Sequence, residues 1–561
     1  VPLIFLLAEA QIWDAVATSQ SLGYPIRQEV IVRKQPEHLV YMVLFLLLSA
    51  VAIAGFAGET GKEISYRVLE RGEYKEIEVE TALASYIFSE DGGVLKSVFL
   101  SFAPYGSVVS ELVPGTKTDP KSLERQYVAN TVFPFSLQQD GLVEEYTLAE
   151  VEQPSPDELI IEFRGEIENG TVIKRFTLRN DPYYTVDVEV TVENRALEAT
   201  SLRMAVGDYL PVEKGRSLVY QFDGSSGGDL LAEGSYASFG GLGLMDKSTV
   251  FFLKVDSPSG VTPFMERALS GSRRFGVTLS APQGTTSYSF SLYGGRRRYL
   301  LMEHSGLGTL DNPGAGARMM IPVIQFLEIL YRYTGNYGWA IILFTLVTRV
   351  ILFPLMRKQY HSTAKMQKLQ PKLQQIQKRF KDDQQLMQQK LMELYKKEGV
   401  NPMGGCLPLF IQLPILVLLW KAILYSGEQI HLSPGFLWVS DLSLRDPYFI
   451  LVILTTAVMI LQQKLTTPMT TGETTGGTSG SQKYMGYIFP IMMAVMLYNF
   501  PAGMWLYYLL TTVLQVAQQY FVNWEMAKAE GGTVPVTEIG PMDVGGGEGA
   551  KDDGKKDRSG D

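Results

Sequence analysis

The sequence is poor in the residues from which most chemistry is built. Its single cysteine, Cys406, excludes an internal disulfide. Its four histidines, His38, His304, His361 and His431, are scattered without metal-ligand spacing. There is no Ser/His/Asp or Cys/His arrangement, no P-loop and no GxGxxG fingerprint, so neither catalysis nor a cofactor is expected. The formal net charge of −9 removes any global case for nucleic-acid binding, and no direct DNA contact is expected. Charged residues make up only 19% of the chain, below a typical soluble protein.

What is present is apolar sequence, unevenly spread. It concentrates at residues 39–57 and again after residue 320, the profile of a membrane protein with a soluble insert. Residues 1–38 begin "VPLIFLLA", apolar but too short to span, and read as a poorly ordered cytoplasmic segment. Leu39 to Ala57 carries no charge and is long enough to anchor the chain. A cleavable signal peptide is the competing reading, helped by small residues near Ala54 and Ala57.

Residues 58–318 read as a large β-sandwich domain. Thr185 to Val192 alternates polar and apolar residues with the period of a half-buried strand. Asn169-Gly170 between two such runs signals a hairpin. No catalytic constellation appears there, so a structural or docking role is expected. An amphipathic helix over 319–336 suits the membrane interface, with Glu328 and Arg332 on its polar face. Five candidate spans follow, at 337–356, 407–425, 448–463, 486–500 and 503–522, within a core of 337–523. The last two are joined by a tight turn around Pro501 and Gly503. Residues 524–561 are glycine-rich and net acidic and are expected to be a disordered tail.

Loop charge sets an orientation. Residues 357–398 hold eleven Lys/Arg against four Asp/Glu and are expected in the cytoplasm. The net acidic loop 426–447 then lies outside with the β domain, and both termini lie in the cytoplasm. Within 357–398, Met366, Leu369, Leu373, Ile376 and Phe380 form a heptad stripe, and Met387, Leu391 and Leu394 continue it after a turn at 381–383. Two amphipathic helices are therefore expected as an antiparallel hairpin, the first bent at Pro371. Lys365, Lys368, Lys372, Lys378 and Lys390 lie largely off the stripe. Two readings stand: a solvated connector, or a contact arm for lipid headgroups, a nascent chain or the ribosome.

The span 337–356 contains Arg349, which translocon scales place roughly 2.5–3.5 kcal/mol uphill at a helix centre. None of the candidate spans contains an acidic partner for it. It either snorkels to the headgroups or faces a polar groove. Thr345 one turn earlier, Thr348, and Gln412, Thr511, Thr512 and Gln515 on other spans favour the groove. A solute transporter is a rival reading, weakened by the lack of a repeated half and of in-span carboxylates. A structural assembly factor or lipid scramblase is another.

The residues resemble a known family. "LVTRVILFPLMRKQYHSTAKMQKLQPKLQQIQKRF", "NPMGGCLPLFIQLPI" at 401–415 and "FPAGMWLYYLLTTVLQVAQQ" at 500–519 are similar, in order, to the core of the YidC/Oxa1/Alb3 family of membrane protein insertases. The anchor and large β domain resemble its Gram-negative-type bacterial branch. The resemblance implies a polytopic α-helical membrane protein with a five-helix insertase core, an N-terminal anchor helix and a large periplasmic β-sandwich domain, in the bacterial inner membrane. It implies nascent membrane proteins as clients, with the Sec translocon, the ribosome and membrane lipids as further partners. It implies a hydrophilic groove around Arg349, with Thr345 and Tyr508 as matching positions and Gln412 and Trp505 as weaker ones. The acidic tail departs from the basic tail of several family members. That moves the expected ribosome contact to the 357–398 hairpin.

Overall fold

A computed structural model of the chain describes residues 63–129, 131–139, 142–143, 145–209, 216–222, 225–228, 239–257, 259–267, 273–311, 313–380, 383–399, 407–466 and 479–530. The expected segment 1–38, the anchor 39–57, the tail beyond residue 530 and the "NPMGGC" motif at 401–406 lie outside these residues.

The β domain is antiparallel throughout. Its largest sheet has nine strands in the order 146–155, 158–167, 170–179, 185–194, 284–296, 249–255, 239–245, 217–222 and 225–228. A five-stranded sheet runs 261–267, 273–281, 200–209, 137–139 and 142–143, and another runs 65–71, 74–80, 85–89, 94–100 and 110–111. Strand alternation does what the sequence implies. Val186, Val188, Val190 and Val192 point inward between more exposed residues, because successive side chains of a strand face opposite sides. The sheets share one apolar core, in which Phe88, Phe135 and Phe163 pack around Phe176.

The expected hairpin is present one residue out of place. Glu158–Ile167 and Gly170–Arg179 are joined by Glu168-Asn169, and Gly170 opens the second strand opposite Asn194. Glycine is required there because a Cβ would stand 1.8 Å from the Glu193 carbonyl oxygen. The domain also ends earlier than residue 318. After its last strand, a short helix α1 (Tyr299–His304) and a 3-10 turn (Gly308–Leu310) still bury Leu301, Met302, Leu307 and Leu310 in the β core.

Helix α2 (Ala315–Thr334) takes the place of the expected interfacial helix, shifted toward the N-terminus. Met320, Ile324 and Leu327 are buried on one face, and Met319, Ile329 and Tyr333 are exposed on others. It ends at Gly335, whose φ of 66° places it in the left-handed region and whose N–H returns to the Tyr331 carbonyl. Helix α3 (Tyr337–Arg379) starts at Asn336, whose side chain accepts the Gly338 N–H. Span and first hairpin helix are thus one continuous helix, with Pro354 and Pro371 inside it. Helix α4 (Gln384–Lys397) follows, with the Asp383 side chain accepting the Leu386 N–H. The stripe is buried at Leu369 and Leu373 on α3, whereas α4 buries no residue fully. A Lys372–Glu398 pair at 2.9 Å ties the two helices.

The remaining helices are α5 (Leu407–Tyr425), α6 (Gly427–Leu432), α7 (Ile450–Thr466), α8 (Ser479–Leu497) and α9 (Ala502–Glu530). Helix α9 therefore continues seven residues past the expected boundary at 523. Among the described residues, Tyr337–Met366 is the segment long and apolar enough to cross a membrane by length and composition. Gln412–Tyr425, Ile450–Gln463 and Ile488–Leu497 are shorter apolar helices. Helix α9 packs along α3 and α7 and touches α5. The outward faces of α3 and α8 are apolar, with Leu346, Val350, Ile351, Ile491, Val495 and Met496 exposed. A helix surface of this kind is suited to lipid rather than water.

Candidate functional site

Arg349 sits on α3 with only 4% of its surface exposed. Its Nη2 donates to Oε1 of Gln412 on α5 at 2.7 Å. The Gln412 Nε2 in turn donates to the hydroxyl of Tyr507 on α9, also at 2.7 Å. Three helices are thus joined by one guanidinium, one amide and one phenol. No ion pair to Arg349 forms among the described residues. The side chain reaches across to α5. A guanidinium carries five N–H donors. Beyond Gln412, no described residue accepts one from Arg349.

Local geometry explains which neighbours join. Thr345, fully buried one turn before Arg349, donates to the Ile341 carbonyl of its own helix at 2.6 Å. Thr348 likewise donates to the Thr345 carbonyl at 2.9 Å. Both threonines are satisfied within α3 and add polarity without bonding Arg349. Tyr508 is half-buried and its hydroxyl lies 3.9 Å from the Met493 sulfur of α8. Its neighbour Tyr507, and not Tyr508, accepts from Gln412. One residue along a helix is about 100° of rotation, so the two adjacent tyrosines of "WLYY" serve different faces. Trp505 is buried and its Nε1 donates to the Leu497 carbonyl at 3.2 Å. It pins the α8–α9 turn and is no part of the Arg349 group.

Polar side chains continue from this group toward the hairpin end of α3 and α9. Thr511 and Thr512 are buried, Gln359 and Gln519 are buried further on, and Gln462 of α7 donates to Gln515 of α9 at 3.2 Å. Gln359 is ten residues from Arg349, roughly 15 Å along the helix. The result is a polar seam inside an otherwise apolar bundle. Chemically it offers hydrogen bonds and one positive charge, with no nucleophile or general base.

Lys365, Lys368 and Lys378 are exposed on α3. Lys372 pairs with Glu398, and Lys390 pairs with Glu393 at 2.9 Å. Exposed pairs of this type contribute little, about 0–1 kcal/mol.

The sequence reading missed a second buried charge cluster. Glu428 on α6 is fully buried against Arg298 and Arg296, both from the end of the β domain. The signal available was the run Gly294-Gly295-Arg296-Arg297-Arg298. Three consecutive arginines on the side expected to lie outside run against the positive-inside bias.

Residues 329–529 match the family model described as 60Kd inner membrane protein. The membrane protein insertase YidC of Geobacter sulfurreducens is 39% identical over 219 residues, which is 39% of this chain and 40% of that protein. The YidC insertase of Geobacter sp. strain M21 is 38% identical over 245 residues, 43% of this chain and 44% of that protein. The chain thus matches less than half the length of these relatives. Among solved structures, an active YidC insertase with its first transmembrane domain resolved aligns over 86% of this chain and 99% of that one, at a TM-score of 0.49 and 23% identity. YidC from Thermotoga maritima aligns over 81% and 98%, at a TM-score of 0.43 and 20% identity. The family resemblance read from the residues is borne out by the family model and the insertase relatives.

Proposed function

We propose that this chain, a relative of the YidC insertases across its helical domain, integrates membrane proteins into the bacterial inner membrane. Its clients are nascent membrane proteins, handled alone or beside the Sec translocon. The β domain lies on the periplasmic side and both termini on the cytoplasmic side. The exposed lysines of α3 are the contact surface for anionic lipid or the ribosome.

One observation carries the reading: Arg349 on α3 is buried against a neutral amide of α5 that is backed by a phenol of α9. An arginine bonded to Gln412, which Tyr507 backs, has no counter-charge among the described residues in a place where water is scarce. An acidic client tail entering the seam gains attraction there and is still released, because no fixed carboxylate competes for the site. The polar seam also shortens the low-dielectric distance that the tail must cross.

The test is in vitro integration of one single-span client into protein-free liposomes, with its tail acids present or neutralised. Arg349→Lys is expected to retain much of the activity, since a point charge suffices. Arg349→Ala is expected to lose most integration of the acidic-tailed client and less of the neutral one. Arg349→Glu is expected to be worse than alanine for the acidic client. Equal losses for both tails in the alanine variant would reduce Arg349 to a packing or hydration residue.

A further inference from the structure

The sequence Tyr293-Gly294-Gly295-Arg296-Arg297-Arg298 closes the last β strand, and its three guanidiniums go three ways. Arg297 stays within the β domain, pairing with Asp311 at 2.9 Å. Arg296, 3% exposed, donates to the carbonyls of Phe102 at 2.7 Å and Val108 at 3.1 Å. Arg298 reaches the helical domain, donating to Oε2 of Glu428 at 2.5 Å and to the Tyr425 carbonyl at 3.2 Å.

Glu428 belongs to the short helix that follows α5 and is 0% exposed. Its other oxygen accepts the Tyr184 hydroxyl at 3.3 Å and lies 3.8 Å from Nε of Arg296. Burial, and then the Glu428 charge, push the Tyr184 hydroxyl well above its ordinary range, so it remains a donor. One carboxylate of the helical domain is therefore enclosed by two arginines and a tyrosine of the β domain. The fit is built on both sides. Tyr184 holds a φ of 57° and packs over Gly295, where a Cβ would stand 2.7 Å from its ring.

The surroundings extend the contact. Phe102 stacks on His431 at 3.9 Å, and Tyr105 packs against Phe500 of the α8–α9 turn at 5.1 Å. His431 is bonded through Nδ1 to Asp441 at 2.6 Å. A Cβ on Gly427 would stand 2.9 Å from the Cβ of Pro104, so the two backbones meet as closely as glycine allows. A domain tethered only by its linker needs none of this. Buried charges tolerate one relative placement of their partners, because any other leaves an uncompensated ion. The contact also grips the end of α5, the helix that supplies Gln412 to Arg349.

We infer that Arg296, Arg298 and Glu428 are positioning residues for insertion, a lock that seats the β domain on the loop after α5 and keeps it docked throughout the reaction. The inference rests on the insertase reading for its activity, and on the geometry alone for the docking.

The test uses the full chain in proteoliposomes, with Cys406→Ser removing the native thiol. Pro104→Cys combined with Gly427→Cys places two Cβ atoms less than about 1 Å short of the usual disulfide separation of roughly 3.5–4.5 Å. Rapid oxidation is expected, and the oxidised protein should integrate clients at the rate of the reduced one. Glu428→Ala, and the isosteric Glu428→Gln in case alanine misfolds, should slow the disulfide and lower integration by roughly threefold or more, since two buried guanidiniums lose their counter-charge. The reversed pair, Glu428→Arg with Arg298→Glu, should recover part of both. An oxidised protein that is inactive until reduced would overturn the inference, because the domain would then have to lift off. Unchanged integration and an unchanged disulfide rate in Glu428→Ala would overturn it too. If the parent protein integrates no client, the insertase reading falls, and the disulfide rates still decide whether the domain is docked.

Discussion

Arg349 is buried and Arg298 is largely so, and they are satisfied in opposite ways. Arg349 meets an amide, backed by a phenol, and no carboxylate. Arg298 meets Glu428, which Arg296 also approaches and Tyr184 also bonds. Removing a charge from water carries a penalty of several kcal/mol per ion, and only a well-placed opposite charge offsets most of it. Arg298 has that offset and is locked to one orientation. Arg349 lacks it, so part of the penalty remains, and any passing negative group can relieve it. The comparison separates a charge with a fixed counter-ion from one whose described partners are neutral.

The largest effect is expected where the paired site is inverted. Glu428→Lys places a third cation between Arg296 and Arg298. A loss of about 3–5 kcal/mol is expected, the usual scale for an uncompensated buried charge. It should register as a lower apparent Tm and as new protease cleavage near residues 102–108. A variant that melts like the parent would show that the cluster is solvated and not a lock.

A second experiment converts one kind of site into the other. Gln412→Glu gives Arg349 a permanent partner of nearly unchanged shape. The protein should be at least as heat-resistant as the parent, while integration of acidic-tailed clients falls toward the Arg349→Ala level. Gln412→Leu is the control: it removes the acceptor of a charged donor and should cost about 1.5–3 kcal/mol. Full activity in Gln412→Glu would mean that the vacancy for an anion beside Arg349 is irrelevant.

The smallest effect distinguishes two neighbours. Tyr507→Phe removes the phenol that accepts from Gln412 and should cost about 0.5–1.5 kcal/mol, the net worth of one hydrogen bond. Tyr508→Phe removes only a weak contact to the Met493 sulfur and should leave thermal unfolding unchanged. Equal effects from the two substitutions would mean that the Gln412–Tyr507 bond adds nothing to stability.

Helix phase explains why Tyr507, and not its neighbour Tyr508, bonds Gln412. Arg349 and Gln412 are conspicuous in a linear reading, because a charge and an amide stand out among apolar residues. Two adjacent tyrosines are equally conspicuous. The rotation of α9 against α3 decides between them, and that rotation comes from packing along the whole helix. The same limit applies to the hairpin. The heptad stripe correctly marks Leu369 and Leu373, yet nothing in its period reveals that the span and the first hairpin helix are continuous through Pro354 and Pro371.

By itself the sequence determined the division into a β domain and an apolar helical domain, since hydrophobic period and run length act locally and survive any tertiary arrangement. It also determined that Arg349 has no acid within the candidate spans. Only the tertiary structure decided which polar groups close around that arginine, because they come from α3, α5 and α9. Only it could join Arg298 to Glu428, which are separated by 130 positions along the chain. Neither residue carries a local period or motif that names the other. Their pairing follows from two surfaces that must exclude water together, and a buried charge is satisfied only once both are in place.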